Sequence, residues 1–174
     1  AIKIPDITAA AHPRHTQHLV TGGEAWQEGE KLIITLNKKY PEPITIESVY
    51  EEDSHSEIVI KAEKGSQATI NRHIRGRART VTENIFVEAQ EAHITYNENQ
   101  TLHESTQYRC TRKARAKKST INLYTNITGG HITKHHTTTS LDHSTTSCLA
   151  TVKIEGEQQV EINAEHLQSQ RCES

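Results

Sequence analysis

Along most of this chain apolar and polar residues alternate with a period of two. Ile44 and Ile46 alternate with Thr45 and Glu47, and Ser48 continues the apolar side. Ile58 and Ile60 repeat the pattern, with Val59 on the opposite face. Tyr108, Cys110, Arg112, Ala114 and Ala116 keep one parity through a third stretch. Residues two apart share a face of a strand, so each stretch predicts a half-buried β-strand. Leu32, Ile33, Ile34 and Leu36 form another, closed by Asn37, Lys38 and Lys39 and by Pro41 and Pro43. Nowhere does a helical period of apolar residues persist.

The strands recur. Ala68-Thr69-Ile70 follows Glu63-Lys64-Gly65, Ile94-Thr95-Tyr96 follows Gln90-Glu91-Ala92, and Ile121-Asn122-Leu123 follows Lys117-Lys118-Ser119. The anchors Ala68, Ile94 and Ile121 lie about 26 to 27 residues apart, the length of one solenoid coil. Val160-Glu161-Ile162, after Gly156-Glu157, reads as a fourth copy, one coil plus an insertion later. Strands that cannot bury a face alone stack on their neighbours. The expected fold is therefore all-β, a β-solenoid. Composition agrees: with one Phe, one Trp, no Met and 33% hydrophobic residues, the chain suits the thin layers of a solenoid better than a thick sandwich. Its β-branched residues favour pleated surfaces.

Residues 1 to 18 lack strand alternation. Pro5, Pro13 and Ala9-Ala10-Ala11 suggest an arm or a short helix ahead of a core domain spanning 19–174. Thr21-Gly22-Gly23, Glu51-Glu52-Asp53-Ser54 and Gly129-Gly130 are turn signals. Arg72 to Thr80 reads as a polar strand with Arg75, Arg77 and Arg79 on one face. His131 to Thr139 reads as another, with His131 and His135 sharing a face. After Arg171-Cys172-Glu173-Ser174 no capping element follows, and solenoid ends need cover. A partner or further sequence is expected there.

Net charge is −2, so the chain as a whole makes no electrostatic case for a nucleic-acid or membrane partner. No apolar run reaches the length of a membrane span, and no signal-peptide pattern opens the chain. Three widely spaced cysteines are not a disulfide framework, which indicates a reducing, cytoplasmic compartment. The sequons at Asn99 and Asn126 are discounted as chance in a Thr-rich chain.

Several phrases in the second half resemble the SufB/SufD family of iron–sulfur cluster assembly proteins, the SufD branch more closely. They are Ile85-Phe86-Val87 leading into Ala92-His93-Ile94-Thr95-Tyr96 and Asn97 to Gln100, then Cys110 to Ala116 with Ser119-Thr120-Ile121, then Gly129-Gly130. Last come Gln158-Gln159-Val160-Glu161-Ile162, Glu165-His166 and Cys172-Glu173-Ser174. The resemblance implies a right-handed parallel β-helix, a cluster scaffold with a SufB-like partner and a SufC-type ABC ATPase. Family members are longer, and their best-supported cysteine and histidine positions lie in coils beyond the matched region.

Thiolates, sometimes with His, hold iron–sulfur clusters. Cys110, Cys148 and Cys172, with His166, are therefore the candidates for a transiently bound cluster, set against the reading of Cys110 and Cys148 as small buried hydrophobes. His12, His15 and His18 recur at helical spacing, but Pro13 interrupts them, and a solvated arm is the simpler reading. His131, His135 and His136 are expected on a solvated face. Asp142-His143-Ser144 has the residue types of a triad, which adjacency alone cannot assemble. Arg72, Arg75, Arg77 and Arg79 with Arg109, Arg112, Lys113, Arg115, Lys117 and Lys118 form a candidate basic stripe for phosphates. But aromatic interleaving is nearly absent, so no stacking platform for single-stranded nucleic acid is visible. Glu88, Glu91, Glu98 and Glu104 lie between to neutralise the stripe, which makes a solvated face the simpler reading. The expected function is non-catalytic partner binding. A carbohydrate-active β-helix and a self-associating structural solenoid, with a second copy as partner, are the alternatives.

Overall fold

The computed structural model describes residues 2–4, 17–153 and 159–168. Every regular element among them is a strand, as the period-two pattern requires. β1 (Ile2–Ile4), β2 (His18–Thr21), β3 (Ala25–Glu28) and β4 (Lys31–Leu36) open the fold. β5 (Ile44–Tyr50), β7 (Gln67–Gly76), β9 (His93–Leu102), β11 (Thr120–Gly129) and β13 (Thr145–Lys153) alternate with β6 (Ser54–Ala62), β8 (Thr80–Gln90), β10 (Gln107–Lys117), β12 (Ile132–Asp142) and β14 (Gln159–Gln168). The even strands β4 to β14 join β1 and β3 in an eight-stranded sheet A, and the odd strands from β5 join β2 in a six-stranded sheet B. Each coil gives one strand to each sheet, and the coils pair in parallel. The antiparallel pairs β1–β3, β3–β4 and β2–β5 close the first coil. The fold is a β-solenoid of about five turns.

Coils stack in register. Ala68 pairs with Ile94 and Ile94 with Ile121, as the repeat demands. Side chains 25, 26 or 27 residues apart touch, as in Thr120 with Thr145, Asn71 with Asn97 and Asn99 with Asn126. Inward parity fills the interior with Ile44, Ile46, Ile58, Ile60, Ile70, Ile94 and Ile121. Burying each such side chain contributes about 1.5–3 kcal/mol. Val59 and Glu47 face out, as expected.

The repeated phrase before each sheet B strand is a corner. Gly65 (φ 85°) and, in later coils, Glu91, Lys118 and His143 (each φ 49°) adopt the left-handed conformation there. Ser66, Ser119 and Ser144 follow, and their hydroxyls donate to the carbonyls of Leu36 (2.8 Å), Lys117 (2.8 Å) and Asp142 (2.7 Å). The opposite corner stacks Tyr50, Gly76, Leu102 and Gly129 in one register column. Gly76 has φ 138°, and a Cβ on it would lie 1.9 Å from the Tyr50 carbonyl oxygen. Gly129 repeats the arrangement against the Leu102 carbonyl oxygen, at 2.3 Å. Only glycine fits such an approach.

Three expectations change. The fourth repeat of the Ala68–Ile94–Ile121 column is Thr146 on β13, with no insertion; Val160 and Ile162 belong to β14 in the other sheet. Threonine replaced isoleucine at the anchor, which hid the copy. The opening segment is not an arm at its described ends: Ile2–Ile4 and His18 lie on strands of sheets A and B, while 5–16 fall outside the described residues. The polar strand from Arg72 ends at Gly76, so Arg77 and Arg79 sit on the corner, where Asp53 accepts from the Arg79 and Thr80 amides at 3.1 and 3.0 Å.

Gly76→Ala is expected to lower unfolding free energy by more than about 2 kcal/mol. Gly65→Ala, where a Cβ meets nothing within 4 Å and neighbouring coils carry side chains, is expected to cost about 1 kcal/mol. Urea denaturation of the two variants checks the difference.

Candidate functional site

Inward parity also carries charge into the solenoid. Arg72 sits between Ile70 and Ile74 on β7, Glu83 between Val81 and Ile85 on β8, Glu98 beyond Tyr96 on β9, and Arg112 beyond Cys110 on β10; all four are buried. Arg72 donates from Nη1 to Glu83 Oε1 at 2.9 Å and to Glu98 Oε1 at 3.1 Å, and from Nη2 to Glu83 Oε2. Its Nε donates to Ser48 Oγ at 3.0 Å. The hydroxyls of Tyr50 and Tyr108 donate to Glu83, and that of Tyr96 to Glu98 Oε1 at 3.0 Å. Arg112 donates to Thr137 at 3.1 Å and Thr125 at 2.8 Å, and faces Glu98 Oε2 at 3.6 Å. Two guanidinium and two carboxylate groups thus balance inside one side of the solenoid.

Burial works against ionisation of Glu83, but the charge and hydrogen bonds of Arg72, with those of Tyr108 and Tyr50, outweigh it and bring its carboxyl to about 2. Burial, then the Arg72 charge, lowers His18 to about 3, with Glu83 opposing. Burial lowers His135 to about 4, with Glu98 opposing. Both rings are therefore neutral at pH 7. His18 Nδ1 lies 2.7 Å from Ser48 Oγ, and His135 meets the Gln100 amide.

These placements correct several expectations. Arg72 and Arg112 leave the basic stripe, because parity turns them inward. Glu98 is likewise an interior counter-ion and not part of a solvated neutralising row. His135 is buried because β12 begins at Ile132, which puts Thr133, His135 and Thr137 inside. His131 lies on the bend before β12, and His136 is half-buried on the outer face. His18 is a strand residue, so it shares no helical face; His12 and His15 fall outside the described residues. His143 Nδ1 lies 2.8 Å from Asp142 Oδ1, but the Ser144 hydroxyl donates to the Asp142 carbonyl, so the three do not form a relay.

Cys110 is buried, stacked in register between Glu83 and His135. Burial, reinforced by Glu98 and Glu83, pushes its thiol well above the usual range, which holds it protonated. Cys148 is half-buried on β13 beside the core, its thiol raised by burial. His166 occupies the β14 register position opposite Thr139. Cys172 lies outside the described residues. The structure thus separates Cys110 from a surface role and places Cys148 and His166 on the last strands of the two sheets. Among the described residues, no group of three His, Cys, Asp or Glu side chains is placed to hold a metal ion.

Two surface features complete the candidates. A groove of about 690 Å³ crosses three coils of sheet B, with Tyr40 and Lys39 at one end and Gln67, His93, Thr95 and Asn122 along it. On the last coil, Ala150 is exposed, Val152 is partly exposed and Ile162 is 36% exposed, although their register neighbours Thr125, Ile127 and His135 are interior. Leu149, on the outer face of sheet B, is 62% exposed.

The interior network was missed in the sequence, yet its signal was there: Arg72, Glu83, Glu98 and Arg112 share the parity of their apolar neighbours. No family model, curated protein or solved structure matches the chain.

Acid is expected to destabilise the fold through its buried histidines. Their folded values lie below the unfolded value, so the unfolded state takes up protons first as pH falls below about 6.5, and stability drops with it. Between pH 7.5 and 5 the loss is about 2 kcal/mol for each of His18 and His135. Thermal unfolding against pH measures it, and His18→Gln with His135→Gln is expected to flatten the profile in that window.

Proposed function

We propose that this chain is a non-catalytic scaffold that works by binding a partner, a SufD-like component that associates with a SufB-like chain and a SufC-type ABC ATPase in a reducing cytoplasm. One observation carries the reading. The phrases that resemble the SufB/SufD family lie on strands of the parallel solenoid: Ile85-Phe86-Val87 on β8, Ile94-Thr95-Tyr96 on β9, Cys110 to Ala116 on β10, Thr120-Ile121 on β11 and Val160-Glu161-Ile162 on β14. The last coil supports it, because Ala150, Val152 and Ile162 take up interior register positions and yet reach solvent. Apolar positions of that kind are what a further solenoid coil covers, from a partner or from this chain's own sequence. An iron–sulfur cluster would be cargo here. Cys148 and His166 stand on the strands nearest that end, whereas Cys110 is packed inside.

A carbohydrate-binding solenoid is the second reading. The sheet B groove favours it, since stacked Gln67, His93, Thr95 and Asn122 present hydrogen-bonding groups at successive coils beside the Tyr40 ring.

The test is co-purification of the full chain with a SufB-like chain, alone and with Ile162→Glu. Association in the parent, lost in the variant, is expected. No association under anaerobic, low-salt conditions would overturn the SufD-like reading.

A further inference from the structure

The outer face of sheet A carries a feature that whole-chain charge conceals. On β10 the outward residues are Gln107, Arg109, Thr111, Lys113, Arg115 and Lys117, opposite in parity to the buried Tyr108, Cys110, Arg112, Ala114 and Ala116. Four of the six are cations, in a straight row. Lys134 on β12 pairs in register with Arg109 and adds a fifth. All five are exposed. Arg115 is in register with Glu88, Lys117 with Asp142 and Lys134 with Glu161. Even so, none of the five makes an ion pair among the described residues, although Arg75 on sheet B binds Glu47 at 2.6 Å. A row of cations held side by side by the sheet, none of them in an ion pair among the described residues, is an electrostatic site for an extended polyanion.

The flank of the row narrows the choice of polyanion. Phe86 pairs in register with Lys113 on one side and Val59 on the other, so an aromatic ring lies directly beside the row. A groove of about 360 Å³ opens there, with Val59 and Phe86 as apolar lining and Asn84, Thr111, Lys31 and Glu57 as polar rim. Strand geometry sets alternate cations about 6.7 Å apart and the aromatic column about 4.8 Å to the side. A polyanion that fits both has closely spaced charges along one edge and flat, apolar-faced, hydrogen-bonding groups along the other. An acidic peptide supplies the charges but not the flat groups. A single-stranded nucleic acid supplies both, with phosphates on the cations and a base on the ring.

We propose that the outer face of sheet A binds single-stranded nucleic acid, phosphates along Arg109, Lys113, Arg115, Lys117 and Lys134, and a base in the groove against Phe86. The site is centred on β10, on the outer face of sheet A, and does not depend on the SufD-like reading.

The experiment is fluorescence anisotropy of the full chain with a labelled single-stranded oligodeoxynucleotide of about 16 nucleotides, over a salt series. Five phosphate contacts give a plot of log affinity against log salt with a slope of about −3 to −4. Lys113→Glu with Arg115→Glu is expected to weaken binding at least tenfold at low salt and to flatten the slope by more than 1. Both positions are exposed, and an unchanged circular dichroism spectrum and thermal midpoint show that the fold persists. Phe86→Ala is expected to weaken binding about tenfold without changing the slope, and Phe86→Tyr to retain it. Absence of binding at low salt overturns the proposal. So does equal affinity for a poly-glutamate peptide, or an affinity indifferent to both the charge reversal and Phe86→Ala.

Discussion

The ion pair between Arg72 and Glu83 joins the two sheets, and the rest of the solenoid is arranged around it. Arg72 belongs to sheet B and Glu83 to sheet A, and the guanidinium also reaches Ser48 in the coil before and Glu98 in the coil after. A charge in such an interior costs several kcal/mol in lost hydration, which only full pairing offsets. Pairing here is nearly complete: Glu83 receives Arg72, Tyr50 and Tyr108, and Glu98 receives Arg72, Tyr96 and the more distant Arg112. The benefit lies in register. A stack of Ile, Val and Ala columns would tolerate a slip of two residues between coils, because parity is kept. Such a slip would separate Arg72 from both carboxylates. Hydrophobic burial supplies the bulk of the stability, and the buried charges make one stacking the favoured one.

A locked register fixes what the outer faces display. Because each strand lies directly on the next, side chains of one column line up across coils, giving the Asn71–Asn97 and Asn99–Asn126 ladders on sheet B and the Ile33–Val59–Phe86 column on sheet A. Parity then sorts the arginines and lysines of β10: Arg112 is drawn inside to Glu98, while Arg109, Lys113, Arg115 and Lys117 stay outside as a row. The same parity puts Cys110 inside, where burial raises its thiol well above the usual range. Interior network and exterior row are two consequences of one alternation.

Much of this was legible in the sequence. The β-solenoid followed from the Ala68, Ile94 and Ile121 spacing, and the inward set Ile44, Ile46, Ser48, Ile58 and Ile60 from alternation alone. Failures came where a polar residue took an inward position. Arg72, Glu98 and His135 were assigned to solvent by residue type, although parity placed them inside; the partners that make burial tolerable come from the other sheet or from neighbouring coils, at separations local pattern does not reveal. Thr146 hid the last sheet B repeat for the same reason. The left-handed corner at Glu91, Lys118 and His143 carried no glycine to announce it. The surface features required the fold first, because Lys113 of the β10 row and Phe86 of β8 are distant in the chain and meet only in register.

The most direct test of the central claim is the stability of Arg72→Met, measured by urea unfolding at pH 7. Methionine fills much of the same space but leaves Glu83 and Glu98 buried without their shared counter-ion. A loss of about 3–5 kcal/mol is predicted. A loss below about 1 kcal/mol would contradict the account, because the interior charges would then not depend on Arg72 for their pairing.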